Sequence, residues 1–221
     1  MRSQGSGRAL LITDCDEVLL HMIGHFADWV ADAHDLRFRL DATSFRDALT
    51  DRHGGAVAEE RVWPLLDGFF QTEMHRQNVV PGAQAALSAL SEQADIVILT
   101  NIGDDHRDGR VDQLARFGIR HRVVCNRGGK GRPVCALLDE LRPSVAVFVD
   151  DLAVHHQSVA NHAPEVWRLH MVAEPRLART MPTAPDAHAR IDDWTAAQAW
   201  IRDRFAAGPA PAPAETEEQL A

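Results

Sequence analysis

Aliphatic residues in this chain gather in short unbroken runs, and the strongest of them stop at polar pairs. Ala9-Leu10-Leu11-Ile12-Thr13 meets Asp14-Cys15-Asp16-Glu17, Ile96-Val97-Ile98-Leu99 meets Thr100-Asn101, and Val145-Ala146-Val147-Phe148-Val149 meets Asp150-Asp151. Runs of this length with no alternation predict strands buried on both faces, as in a parallel sheet. A weaker strand is expected over 122–126 and a fifth over 166–172.

Between these runs the period changes to that of a helix. Met22, Phe26, Trp29 and Val30 share one helical face. Residues 43–49 resemble an N-capped helix start, with Asp47 three residues after Ser44. A third helix is expected over 57–74, broken or kinked at Pro64. The stretch from Leu20 to Asn78 thus reads as helices with no strand pattern, ended by Val79-Val80-Pro81-Gly82. Further helices are expected over 83–92, 111–117, 134–141, 154–162 and 191–205. Strands interleaved with helices predict βαβ units, hence an α/β fold with a doubly wound parallel sheet. The expected division is a core of 8–20 plus 79–206, an α-helical insert at 21–78, and a tail at 207–221. Its proline, alanine and acidic residues predict disorder for the tail.

Composition narrows the function. The 221 residues are 45% hydrophobic and 25% charged, with a formal charge of -9, which argues against a nucleic-acid surface. No apolar run nears the roughly 20 residues that span a bilayer. The opening residues run straight into the first strand, so no secretory leader is expected. Three widely spaced cysteines, Cys15, Cys125 and Cys135, suggest free thiols in a reducing, cytoplasmic setting. Of 23 basic residues only Lys130 is a lysine. An ammonium differs in shape and reach from a guanidinium, which marks this position.

The polar strand ends carry the candidate chemistry. In an open α/β sheet they converge on one edge, where ligands bind. Asp14, Asp16, Asp150 and Asp151 beside Lys130, itself in Gly128-Gly129-Lys130-Gly131, would form a site for a hard divalent cation, most plausibly Mg²⁺. Thr100, Asn101 and Lys130 would suit phosphoryl oxygens.

In order and spacing these motifs resemble the haloacid dehalogenase superfamily of hydrolases. ITDCDEVLL resembles its first motif, VILTN its second, Gly129-Lys130-Gly131-Arg132-Pro133 its third and VFVDD its fourth. The resemblance implies a Rossmann-like core with a helical cap inserted after the first motif, at 21–78. It implies Asp14 as nucleophile, forming an aspartyl-phosphate, and Asp16 as general acid/base. It further implies that Thr100, the Asn101 backbone amide and Lys130 bind the phosphoryl group. Asp14, Asp151, Asp150 and the Asp16 carbonyl would hold Mg²⁺. The dehalogenase branch generally lacks a carboxylate at the place of Asp16, so the expected activity is phosphatase-type, on a small phosphorylated metabolite. The alternatives are a dehalogenase or phosphotransferase of the same fold, or a silent phospho-ligand binder. Oligomeric state is unreadable.

The chain departs from that pattern at Glu17, where glycine is common, at KGRP in place of KPxP, and at His155, where Asp or Asn is frequent. His21 and His25 have the spacing of a helical zinc pair without an HExxH context, and are expected to face the substrate or the cap surface. Cys15 is expected to pack, and Trp63, Leu66, Phe69 and Phe70 to form cap core.

Overall fold

The computed structural model describes residues 7–42 and 44–211. Strand β1 (Ala9–Thr13) is its centre. Leu10, Leu11 and Ile12 expose no surface. The period-two alternation of a strand sends Leu11 to one face of the sheet and Leu10 and Ile12 to the other. α1 (Ile23–His34), β2 (Leu36–Phe38), β3 (Leu49–Asp51) and α2 (Glu59–Thr72) follow, and then α3 (Ala83–Leu90), β4 (Ala94–Thr100), α4 (Arg107–Arg116), β5 (Arg122–Cys125), α5 (Gly131–Leu141), β6 (Ala146–Asp150), α6 (Ala153–His162) and β7 (Trp167–His170). A short α7 (Pro175–Ala178), a two-residue β8 (Ala189–Arg190) and α8 (Trp194–Ala207) complete the described chain.

Six strands lie in the order β5-β4-β1-β6-β7-β8, every neighbouring pair parallel. Leu11 stands opposite Ile96 on β4 and Val147 on β6. Apolar residues of α3, α4 and α8 cover one face, and those of α5 and α6 the other. This is the doubly wound parallel sheet expected. Its central strands β4, β1 and β6 end side by side, which brings the three polar pairs together.

The segment between β1 and α3 differs from the expectation of helices alone. Its two helices flank an antiparallel pair, β2 and β3, with Arg37 opposite Thr50. Residues 44–48, expected to start a helix, make only a single tight turn at Arg46–Ala48 before β3, although Ser44 Oγ does accept the Asp47 N–H (3.2 Å) and donates to the Asp47 carboxylate (2.7 Å). Thr43 lies outside the described residues, as does most of the expected tail, from 212 onward. Helix α2 runs through Pro64 without interruption. Phe26, Trp29, Leu36, Leu49, Val62, Leu65 and Phe69 give this segment a core of its own. Phe69 and Phe70 are buried and Leu66 packs against that core, but Trp63 is 49% exposed and stacks outside it on Phe45. The two chain crossings adjoin: the His21 N–H donates to the Asn78 carbonyl (2.9 Å), and that of Val80 to Leu19 (2.8 Å).

Candidate active site

The end of β1 is stapled to β6, since the Asp14 N–H donates to the Val149 carbonyl at 2.8 Å. The chain then turns sharply. The N–H groups of Leu19 and Leu20 both donate to the Cys15 carbonyl, and the buried Trp194 indole donates to the Val18 carbonyl at 2.8 Å. Glu17 occupies this turn with φ 59°, the left-handed region that favours glycine. Its side chain compensates: Oε1 accepts the N–H groups of Met22 (2.7 Å) and Ile23 (2.6 Å), capping α1 from upstream.

Lys130 is wholly buried, with Nζ 2.7 Å from Asp14 Oδ1 and 2.7 Å from Asp150 Oδ2. It donates a hydrogen bond to Asp150; the approach to Asp14 is an ion pair off the hydrogen-bond axis, leaving Oδ1 without a hydrogen bond. Gly131 explains the departure from KPxP. A Cβ there would lie 2.2 Å from the Ser158 carbonyl oxygen, so the start of α5 can press against α6 only with glycine.

Asp14, Asp150 and Asp151 present carboxylate oxygens all within 4.8 Å of one another, the one group among the described residues spaced to hold a metal ion. Asp150 uses both its oxygens within the protein, accepting from Lys130 and from the Leu152 N–H (2.9 Å). Three buried carboxylates against one ammonium leave negative charge unbalanced. Burial raises the Asp14 pKa to about 7 against the pull of Lys130, and Asp150 and Asp16 add to the rise. Burial, with Asp150 and Asp14, pushes Asp151 well above the carboxylate range. Burial opposes ionisation of Asp150 too, but Lys130, with His155 and His156, holds its pKa below the ordinary value. Hard oxygen donors carrying surplus charge fit a divalent cation such as Mg²⁺.

Two imidazoles support this edge from beneath. His170 accepts the Ala184 N–H at Nδ1 (3.0 Å), so its proton is on Nε2, which donates to the Asp151 carbonyl at 2.8 Å. His156 Nε2 donates to the Asp150 carbonyl at 3.0 Å. Sequence reasoning missed both roles. Thr100 Oγ1 is buried without a hydrogen-bond partner, as a group awaiting a ligand oxygen would be. The Asn101 side chain donates to the Gly128 carbonyl (2.9 Å) and accepts from Asn126 (2.8 Å), tying the second strand end to the glycine loop. His155 Nε2 lies 3.2 Å from Asn101 Nδ2.

Asp16 stands apart from the other three carboxylates. Its oxygens accept from Arg110 and Gln77, and it is not among the three carboxylates spaced to share an ion, so the expected gathering of four acidic side chains is one of three. Cys15 is buried, as expected, and accepts from Arg110 at 3.2 Å. His25 pairs with Asn78 at 2.5 Å, on the crossing into the insert. A cavity of about 380 Å³ between α2 and α4, lined by Phe70, Met74, His106 and Gln113 among others, includes none of the three carboxylates.

No protein-family model matches the sequence, and no curated protein matches it. Solved structures do match. A haloacid dehalogenase-family hydrolase from Deinococcus radiodurans, with bound phosphate and sodium, superposes with a TM-score of 0.62 at 12% identity, covering 88% of this chain and 95% of its own. One from Bacillus subtilis bound to magnesium gives 0.62 at 11%, covering 89% and 99%. This is the haloacid dehalogenase-like fold. A protein from Thermotoga maritima named as a beta-phosphoglucomutase shares that fold, with a TM-score of 0.57 at 14% identity over 88% and 99%. In this haloacid dehalogenase-like fold, Asp14, Thr100, Lys130 and Asp151 all lie at the carboxyl edge of the sheet. No helix among the described residues is long and apolar enough to cross a membrane.

Proposed function

We propose that this chain is a metal-dependent phosphohydrolase acting on a small phosphorylated metabolite through an aspartyl-phosphate on Asp14. The observation that carries this reading is the enclosure of Lys130 between Asp14 and Asp150, with Asp151 in the same cluster. An anionic nucleophile meets an anionic phosphate only where cations screen both. Mg²⁺ held by Asp14 and Asp151, with Asp150 and the Asp16 carbonyl beside them, would supply the larger part of that screening.

In the first step an Asp14 oxygen bonds to phosphorus, the bond to the leaving oxygen breaks, and Asp16 gives that oxygen a proton. In the second, Asp16 takes a proton from water, whose oxygen displaces Asp14 and releases inorganic phosphate. The Thr100 hydroxyl, the Asn101 backbone amide and Lys130 hold the non-bridging oxygens. Residues 21–78 serve as a cap, swinging on the paired crossings at Leu19–His21 and Asn78–Val80. A cap of this kind excludes water and favours small substrates over folded phosphoproteins.

Rapid acid quench and intact-mass analysis with acetyl phosphate and Mg²⁺ test the reading. Asp14→Asn should form no phosphoenzyme, whereas Asp16→Asn should accumulate it, with turnover of alkyl phosphates down about two to four orders of magnitude. Label on any residue other than Asp14 refutes the assignment. Phosphotransfer is the second reading, favoured by the cover over Asp14, which is only 7% exposed. It predicts a phosphoenzyme discharged faster by a hydroxyl acceptor than by water.

A further inference from the structure

Arg110 lies on α4, outside every motif that marks the site, yet its side chain exposes no surface. Its Nη2 donates to both oxygens of Asp16, at 3.0 Å each, and Nη1 donates to Cys15 Sγ at 3.2 Å. Its guanidinium carbon lies 5.4 Å from the centre of the Phe70 ring. Gln77, 1% exposed, adds a third hydrogen bond to Asp16, from Nε2 to Oδ1 at 2.6 Å. Gln113 of α4 links back to this group through the Met74 carbonyl and, at 3.5 Å, Gln77.

With three N–H contacts made, Asp16 keeps Oδ2 as the oxygen with spare acceptor capacity. Burying a guanidinium costs several kcal/mol unless paired, and Asp16 is the only carboxylate with which Arg110 makes an ion pair among the described residues. The clamp also draws on two parts of the chain. Arg110 comes from the core, whereas Phe70 and Gln77 belong to the 21–78 insert.

We propose that Arg110 is a positioning residue for the reaction at Asp14, acting through Asp16, and that Gln77 makes Asp16's placement depend on the insert being seated. The proposal rests on the reading of Asp14 and Asp16 given above. It differs from a structural role for Arg110 in one respect. Loss of the clamp should matter only while Asp16 has work to do.

The experiment is a double-variant cycle on the full chain, with acetyl phosphate as phosphoryl donor and Mg²⁺ present. Formation and decay of the phosphoenzyme are followed by acid quench, and folding by thermal melting. Arg110→Lys keeps the charge but loses the two-oxygen grip. It should slow decay about ten- to a hundredfold, part of the full general-base contribution, and slow formation from this activated donor by less than about threefold. In an Asp16→Asn background the same change should alter decay by less than about twofold. Gln77→Leu removes a clamp donor without stranding a charge, and serves if Arg110→Lys fails to fold. It should slow decay about three- to tenfold, again only when Asp16 is present. Equal losses with and without Asp16, or unchanged decay in a folded Arg110→Lys or Gln77→Leu variant, would overturn the positioning role. Absence of phosphoenzyme in the parent protein would instead overturn the reading of Asp14, and the positioning role with it.

Discussion

Lys130 donates to Asp150 across 2.7 Å with neither side chain exposing any surface. A buried pair of this kind is costly to form, and far costlier to break from one side. Lys130→Met should leave Asp14, Asp150 and Asp151 facing one another without a counter-charge. A loss of about 3–5 kcal/mol is expected by urea unfolding, partly restored by millimolar Mg²⁺. A variant as stable as the parent in chelator would show that the carboxylates are already neutral.

Cation binding should displace protons. Asp14 titrates near 7 and Asp151 well above its ordinary value, so below neutrality Mg²⁺ must compete with protons for both. Apparent affinity should therefore fall as pH drops through 7. Calorimetry at pH 6 in two buffers of different ionisation enthalpy should report net proton release. Affinity flat between pH 5.5 and 8 would contradict the charge balance drawn here. Asp151→Asn should weaken binding more than Asp150→Asn, because both Asp150 oxygens are already engaged by Lys130 and Leu152.

Glu17 carries two opposed effects in one residue. Its positive φ is strained by roughly 1 kcal/mol for a residue with a Cβ, while its carboxylate caps α1. Glu17→Ala keeps the strain and loses the cap, and should destabilise by about 1–2 kcal/mol. Glu17→Gly loses the cap but also the strain, and should be more stable than Glu17→Ala by about 1 kcal/mol. Equal stabilities in denaturant melts would show that the turn is not strained.

His156 is held neutral, its pKa lowered by burial to about 4. Because the folded value lies below the unfolded 6.5, the stability it contributes is complete above 6.5 and lost as pH falls toward 4. His156→Gln should reduce the acid sensitivity of unfolding over that interval by up to about 3 kcal/mol. His188 is lowered alike, chiefly by burial and Arg168 with a smaller part from His156, so the difference carries His156 and that part of His188 together. Identical pH profiles would refute the assignment.

The sheet was legible because β1, β4 and β6 are buried on both faces and so carry unbroken aliphatic runs, each cut short by polar side chains. Length hid β2 and β3: three residues each cannot display a period of two. Pro64 looked like a break, yet α2 runs through it. Trp63 looked like core, but Val62 and Leu65, one step round the helix, are what point inward. Arg110 was hidden for a different reason. It is one arginine among many, and only the tertiary approach of α4 to the first turn gives it a partner. Glu17 likewise registered as a departure, since its capping of α1 depends on a fold back over five residues.

The chain's single lysine is also a wholly enclosed cation, and that has an experimental use. Reagents that acylate or carbamoylate amines find no ε-amine on the described surface, where positive charge is carried by guanidinium groups. Reaction at Lys130 thus requires the site to open. Its rate, read by mass at one peptide, clocks how often solvent reaches the carboxylates, with no substrate known and no probe attached.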